Sequence, residues 1–164
     1  MEYIYSMQNM SFGADGALSA ACQAKHPDSP GLCFMSPHMQ GAISTPFFMF
    51  NSKYDAWQLG NELETSWEGN KTEQAAVLQY GNDFLTQFAP VQTEPKNGAM
   101  ITSCICHGCS WSTLKTETGG FNAYQHYAAW YNGSATGAAA IHIDTRGPNG
   151  DGDIPLSSPC AKWP

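Results

Sequence analysis

Hydrophobic positions gather into a few separated segments, and the spacing inside each segment decides what it can become. The run 45–50 (TPFFMF) is short, aromatic and apolar, with no helical period. Its length and its entry through Pro46 predict a buried strand. Residues 56–63 (AWQLGNEL) can open a helix directly after Asp55. Further on, Val77, Tyr80, Phe84 and Phe88 recur at helical intervals, the mark of a helix with one buried face. Asn70, with Glu73 following in the same turn, resembles a reciprocal cap for that helix, and Pro90 is expected to stop it. Residues 99–103 (AMITS) predict a second short strand, running into Cys104-Ile105-Cys106-His107-Gly108-Cys109. A third helix is predicted over 121–131, with Phe121, Tyr124, Ala128 and Tyr131 on one face and Asn132-Gly133 as its stop.

Between these segments the chain is rich in turn formers. Residues 1–40 read as loop, because Gly13, Gly16, Pro27, Pro30, Gly31 and Pro37 interrupt any long period. Cys22 and Cys33 bracket a Pro/Gly turn, a spacing suited to a local disulfide. The region after 133 reads as a Gly/Pro/Asp-rich tail ending near Cys160. Strand, helix, strand, helix in that order favours an α/β architecture with parallel strands. Two strands are too few for a sheet covered on both faces, which suits part of a domain better than a complete one.

Composition narrows the choice of function. Charged residues make up only 13% of the 164, and the polarity comes from Ser, Thr, Asn, Gln and Gly. The formal net charge is −7 and Lys and Arg form no cluster, so nucleic acid is not an expected partner. No apolar run reaches the length of a membrane span. The first residues, MEYIYSMQNMS, lack a basic region followed by an apolar stretch and so do not read as a secretory signal. Yet there are 6 cysteines, and Asn9, Asn70 and Asn132 each begin a glycosylation sequon. A secreted or cell-wall protein whose beginning lies upstream accounts for both observations.

Two residues share a geometry that could do chemistry. Asp55 comes just after one expected strand and His107 just after the other. In a parallel sheet both would sit at the carboxyl edge, where α/β proteins place ligands and catalysts. An aspartate there can accept the Nδ1 proton of a histidine, which fixes the tautomer and stabilises the imidazolium. The plainer readings are an aspartate that caps a helix and a histidine that belongs to a Cys-rich structural loop. Cys104, Cys106, His107 and Cys109 also invite a zinc reading, but their spacing is not that of separated knuckles, and no metal or other cofactor is expected. Haem attachment fails because a single residue separates Cys104 from Cys106. No G-x-S-x-G elbow occurs, and the nearest string, Gly133-Ser134-Ala135-Thr136-Gly137, follows a helix and comes after His107, the wrong order. These residues therefore offer a base and its orienting acid, without a nucleophile or a Gly-rich oxyanion loop.

At the same residues the chain resembles the pectin acetylesterase / Notum family. The matching strings are Cys22 with Pro30-Gly31-Leu32-Cys33-Phe34, and Ile43-Ser44-Thr45-Pro46-Phe47-Phe48 leading to Asn51-Ser52-Lys53-Tyr54-Asp55-Ala56-Trp57-Gln58. Later, Ser103-Cys104-Ile105-Cys106-His107 is similar to the family's S-C-x-x-H string, and Ala129-Trp130-Tyr131-Asn132 to its closing helix. The resemblance implies the carboxyl-terminal part of one α/β-hydrolase-like domain over 1–164, an incomplete, mostly parallel sheet with flanking helices. It further implies Asp55 and His107 as acid and base of a Ser-His-Asp mechanism, with the serine in the upstream half of the same domain. The substrate implied is acetylated polysaccharide or another acyl ester. Cys106 and Gly108-Cys109 depart from the family string, so Cys160 is expected to pair with one of Cys104, Cys106 or Cys109. Two rivals remain: an inactive glycan-binding domain using exposed Trp57, Trp67 and Trp111, and a zinc-stabilised structural protein.

Overall fold

A strand buried on both faces reads as an unbroken apolar run, and residues 98–104 are buried one after another. They belong to the middle strand of a three-stranded parallel sheet in the computed structural model, which describes residues 2–7, 19–108 and 122–148. The strands are β1 (Phe48–Asp55), β2 (Gly98–Cys106) and β3 (Ile141–Ile143), in the order β1-β2-β3. Three parallel strands flanked by helices make this an α/β fold, consistent with part of an α/β-hydrolase-like sheet. The chain divides into two compact units, residues 1–46 and 47–164, and the sheet lies in the second.

Three helices and a 3-10 turn follow or flank these strands: α3 (Ala56–Asn61), α4 (Lys71–Thr93), α5 (Ala123–Tyr131) and the turn Gly137–Ala140, leading into β3. Asn70 and Glu73 close the reciprocal capping box at the start of α4, as their spacing suggests. Alternation along β2 sends Ala99 and Ile101 to one face, where Phe88 and Val91 of α4 bury them with Phe84 and Leu85. Met100 and Cys104 join Ala123 of α5, with Phe48 and Phe50, in a separate cluster. Helices of opposite sides thus cover the strand, which is why it carries no polar stripe.

Four expectations are corrected. The first strand begins three residues later than the apolar run 45–50 and extends through the polar Asn51-Ser52-Lys53-Tyr54 to Asp55, because pairing with β2 continues past the aromatic residues. Pro90 lies inside α4 and does not end it. Pro90 and Thr86 are both exposed, so water can satisfy the carbonyl that the missing N–H leaves. The helix ends at Thr93 instead: Glu94, the residue before Pro95, is extended, as the proline ring requires. The buried face of α5 is also shifted. Tyr124 and Tyr131 are 63% and 74% exposed, whereas Tyr127 and Trp130 pack on Phe48, and Trp130 Nε1 donates to the Lys96 carbonyl at 3.0 Å. Finally, β3 arises within what reads as tail. Ile-His-Ile is too short to announce itself, and becomes a strand through parallel pairing with β2 at Ala99, Met100 and Ile101.

The first unit is not loop alone. It holds the short helices α1 (Glu2–Met7) and α2 (Ala20–Lys25), a single helical turn at Ser36–Met39, and 3-10 turns at Pro30–Phe34 and Gln40–Ala42. None is long enough for a hydrophobic period to show in the sequence. Ser19 caps the helix that carries Cys22, and the Cys22–Cys33 disulfide forms as the Pro/Gly turn suggests. Both half-cystines are buried, with Met39 and Ala42 packed on them. A disulfide of this short span stabilises by about 2–3 kcal/mol on the chain-entropy account.

Candidate functional site

The site is prepared by an irregularity in the sheet. Ser52 pairs with Thr102, but Tyr54 pairs with Ile105, so β2 spends one residue more than β1 over the same stretch. This bulge draws Asp55 level with Cys106, one residue before His107. In an unbroken register Asp55 would stand opposite Ile105, farther from the histidine. Hydroxyls hold the bulge: Ser52 Oγ donates to the Cys104 carbonyl, the Tyr54 N–H donates to Ser52 Oγ at 2.9 Å, and the Cys104 N–H donates to Thr102 Oγ1 at 2.8 Å. The bulge could not be read from spacing, although hydroxyl residues within both strands are the signal it left.

Asp55 is the last residue of β1 and the N-cap of α3. Its Oδ1 accepts the N–H groups of Trp57 at 2.9 Å and Gln58 at 3.0 Å. Capping α3 therefore does not keep the carboxylate from its contact with His107. The carboxylate also faces His107, whose Nδ1 lies 2.9 Å from Oδ2 and 3.1 Å from Oδ1. A carboxylate against Nδ1 favours the tautomer protonated there and leaves Nε2 as the basic nitrogen. The Asp55 side chain is only 12% exposed and that of His107 61%, so the acid is fixed by the fold while the imidazole opens to solvent.

A second group supports the aspartate from behind. The Tyr80 hydroxyl donates to Gln58 Oε1, on the residue whose N–H caps Asp55. Burial first, then the negative charges of Asp55 and Glu62, push the Tyr80 phenol up to about 12, so it remains a neutral donor through the physiological range. Gly81 lets α4 approach this spot, since a Cβ there would lie 2.3 Å from Tyr54 Cε1. The same edge holds a buried polar group. Lys53 Nζ donates to the carbonyls of Asp144 at 2.9 Å and Arg146 at 2.6 Å, while Asp144 accepts from Ser103 Oγ and from Arg146. These bonds tie β1 and β2 to the chain leaving β3. Sequence reasoning singled out neither Tyr80 for this role nor Asp144.

The remaining expected residues fall as follows. Cys104 and Cys106 are both disulfide-bonded. Cys109 and Cys160 lie outside the described residues, as do the Cys160 pairing, Asn9, Trp111 and Phe121. Asn70 and Asn132 are exposed at the two ends of helices, Asn70 as the N-cap of α4 and Asn132 as the C-cap of α5. Ser134 Oγ donates to the Ala129 carbonyl, the behaviour of a turn residue. Trp57 is exposed, but Trp67 is half-buried against the cluster of Tyr54, Leu59 and Val77, which corrects its expected place on an open surface. Among the described residues no group of three or more His, Cys, Asp or Glu is arranged to hold a metal ion.

A parallel α/β sheet with an aspartate and a histidine in contact at its carboxyl edge is the arrangement of an α/β-hydrolase-like protein. Within that class the chain belongs to the pectinacetylesterase family, whose model matches residues 1–149. It is 28% identical over 130 residues to pectin acetylesterase 11 of Arabidopsis thaliana, covering 70% of this chain. Pectin acetylesterase 7 of the same plant is 28% identical over 128 residues, covering 66% of this chain. The matched part is 32% of each relative's length, so the chain spans about a third of them. No solved structure matches it.

Proposed function

We propose that this chain carries the acid–base pair of a serine carboxylester hydrolase that removes acetyl groups from extracellular polysaccharide. The observation that carries the reading is the contact of His107 Nδ1 with the Asp55 carboxylate at 2.9 Å. In this reaction His107 Nε2 takes the proton of a serine hydroxyl as that oxygen attacks the ester carbonyl. Asp55 holds the ring and stabilises the imidazolium. The imidazolium then returns the proton to the departing sugar oxygen, leaving an acyl-serine. Water, deprotonated by the same nitrogen, attacks the acyl carbon, and acetic acid and free serine result. The serine and the amides for the oxyanion come from an upstream half of the same domain. No cofactor takes part. The disulfides and the exposed Asn70 and Asn132 suit a secreted or cell-wall protein bearing glycans.

The zinc-stabilised reading is weakened because the sulfurs of Cys104 and Cys106 are engaged in disulfides and are not free thiolates. The inactive glycan-binding reading is favoured by one observation, the exposure of Trp57.

The test is acetate release from acetylated pectin and from a chromogenic acetate ester. The 164-residue chain alone is expected to give no turnover above background. Each missing oxyanion donor alone is typically worth about 10²–10³ in rate. The chain extended upstream to the length of its relatives is expected to turn over, and to lose that activity with His107→Ala. Turnover by the short chain that vanishes with His107→Ala would overturn the missing serine. An inactive extended chain would favour the glycan-binding reading.

A further inference from the structure

Helix α3 buries Leu59, yet its second residue is a tryptophan with 49% of its surface exposed. Isolated exposed apolar residues are ordinary. Trp57 differs in where it is anchored. Its N–H is held at 2.9 Å by Asp55 Oδ1, and its carbonyl accepts from Asn61 Nδ2 at 2.9 Å. The indole root is therefore fixed to the same carboxylate that orients His107. The rings lie side by side, with centroids 6.3 Å apart and planes at 39°. Two neighbouring elements, α3 and the end of β2, thus place a solvent-open indole beside a solvent-open imidazole.

We propose that the indole of Trp57 is the platform on which the sugar ring bearing the scissile ester stacks, and that it makes the polysaccharide a better substrate than a small ester. This rests on the esterase reading above. The C–H face of a pyranose is weakly positive and meets the negative face of an aromatic ring, with carbons in contact at about 3.5–4.0 Å. An ester on a sugar hydroxyl places its carbonyl carbon two bonds beyond the ring. A sugar seated on the indole then carries that carbon toward His107, across a gap comparable to the 6.3 Å between the two centroids. Charge adds a second reason. With a net charge of −7, this chain exerts no general attraction on an acidic polysaccharide, which favours an uncharged contact for the grip on the sugar. An indole supplies such a contact without desolvating a cation.

The experiment compares wild type, Trp57→Phe and Trp57→Ala in the chain extended upstream, on acetylated homogalacturonan and on a chromogenic acetate ester. Trp57→Ala is expected to lower kcat/KM on the polysaccharide at least tenfold more than on the small ester, mainly through KM, with Trp57→Phe recovering most of the difference. Equal losses on both substrates would overturn the platform and make Trp57 a support for Asp55 only. Calorimetric titration of the 164-residue chain with an acetylated oligogalacturonide separates this proposal from the esterase reading. Saturable heat that Trp57→Ala abolishes supports the platform even if no ester is cleaved, and no saturable heat in the wild type overturns it even if esters are.

Discussion

Asp55 accepts the N–H groups of Trp57 and Gln58 with one oxygen while its carboxylate faces His107 Nδ1, so substitutions there separate two functions by chemistry. Asparagine caps a helix about as well as aspartate but carries no charge to stabilise an imidazolium. Asp55→Asn is therefore expected to change stability by no more than about 0.5 kcal/mol, read by urea denaturation of this chain. In the upstream-extended chain the same change should lower acetate release by about 10⁴-fold, from the wrong tautomer and the lost charge. Asp55→Ala loses the cap as well and should cost about 1 kcal/mol or more of stability. Comparable stability loss in both variants would mean that the carboxylate's charge, and not its cap, carries the stabilisation. Their places after two strands and the family strings around both suggested that Asp55 and His107 meet; the contact itself is a feature of the tertiary structure. The bond from Tyr80 to Gln58 was not legible, because 22 positions separate the partners and nothing local ties them.

Two glycines show how differently neighbouring helices are constrained. Gly81 of α4 lies under the Tyr54 ring, where an added Cβ would meet Cε1 at 2.3 Å and Cζ at 2.9 Å. Gly60 of α3 has nothing within 4 Å of that position. Helix propensity favours alanine at both, by about 1 kcal/mol. At Gly81 the overlap with a buried ring costs about 1–3 kcal/mol, so Gly81→Ala should destabilise on balance. Gly60→Ala should stabilise by up to about 1 kcal/mol. Thermal melts of the two variants should move in opposite directions; a rise for both would mean that α4 shifts away from Tyr54 without cost. The existence of α4 was written in its apolar period and its cap. Its end was misplaced because a proline on an exposed helical face is tolerated near the last turn, and the effective stop is the extended residue before Pro95.

Across the larger unit, α5 and β3 meet through two imidazoles, His126 and His142, stacked with centroids 5.1 Å apart and planes at 20°. Burial lowers both below the usual histidine value. For His126 the neighbouring His142 lowers it further, while Asp144 partly offsets the shift at His142. A lowered folded value means that the unfolded chain takes up protons first as pH falls through about 6.5. The stability from these groups is thus complete above that pH and is lost as pH falls toward the folded values. Wild-type Tm should drop between pH 7.5 and 5.5, and His142→Phe should flatten that drop; an equal slope in both would show that the pair does not govern acid sensitivity. Periodicity, turn residues and capping pairs are local, and they determined α3, α4 and α5, the apolar strand β2 and the disulfide between Cys22 and Cys33. Position in the chain also placed Asp55 and His107 at strand ends. The third strand, the buried face of α5, the bulge that levels Asp55 with Cys106 and the support from Tyr80 were decided by tertiary structure. Each depends on a partner distant in sequence, and three residues such as Ile141-His142-Ile143 become a strand only when β2 offers them an edge.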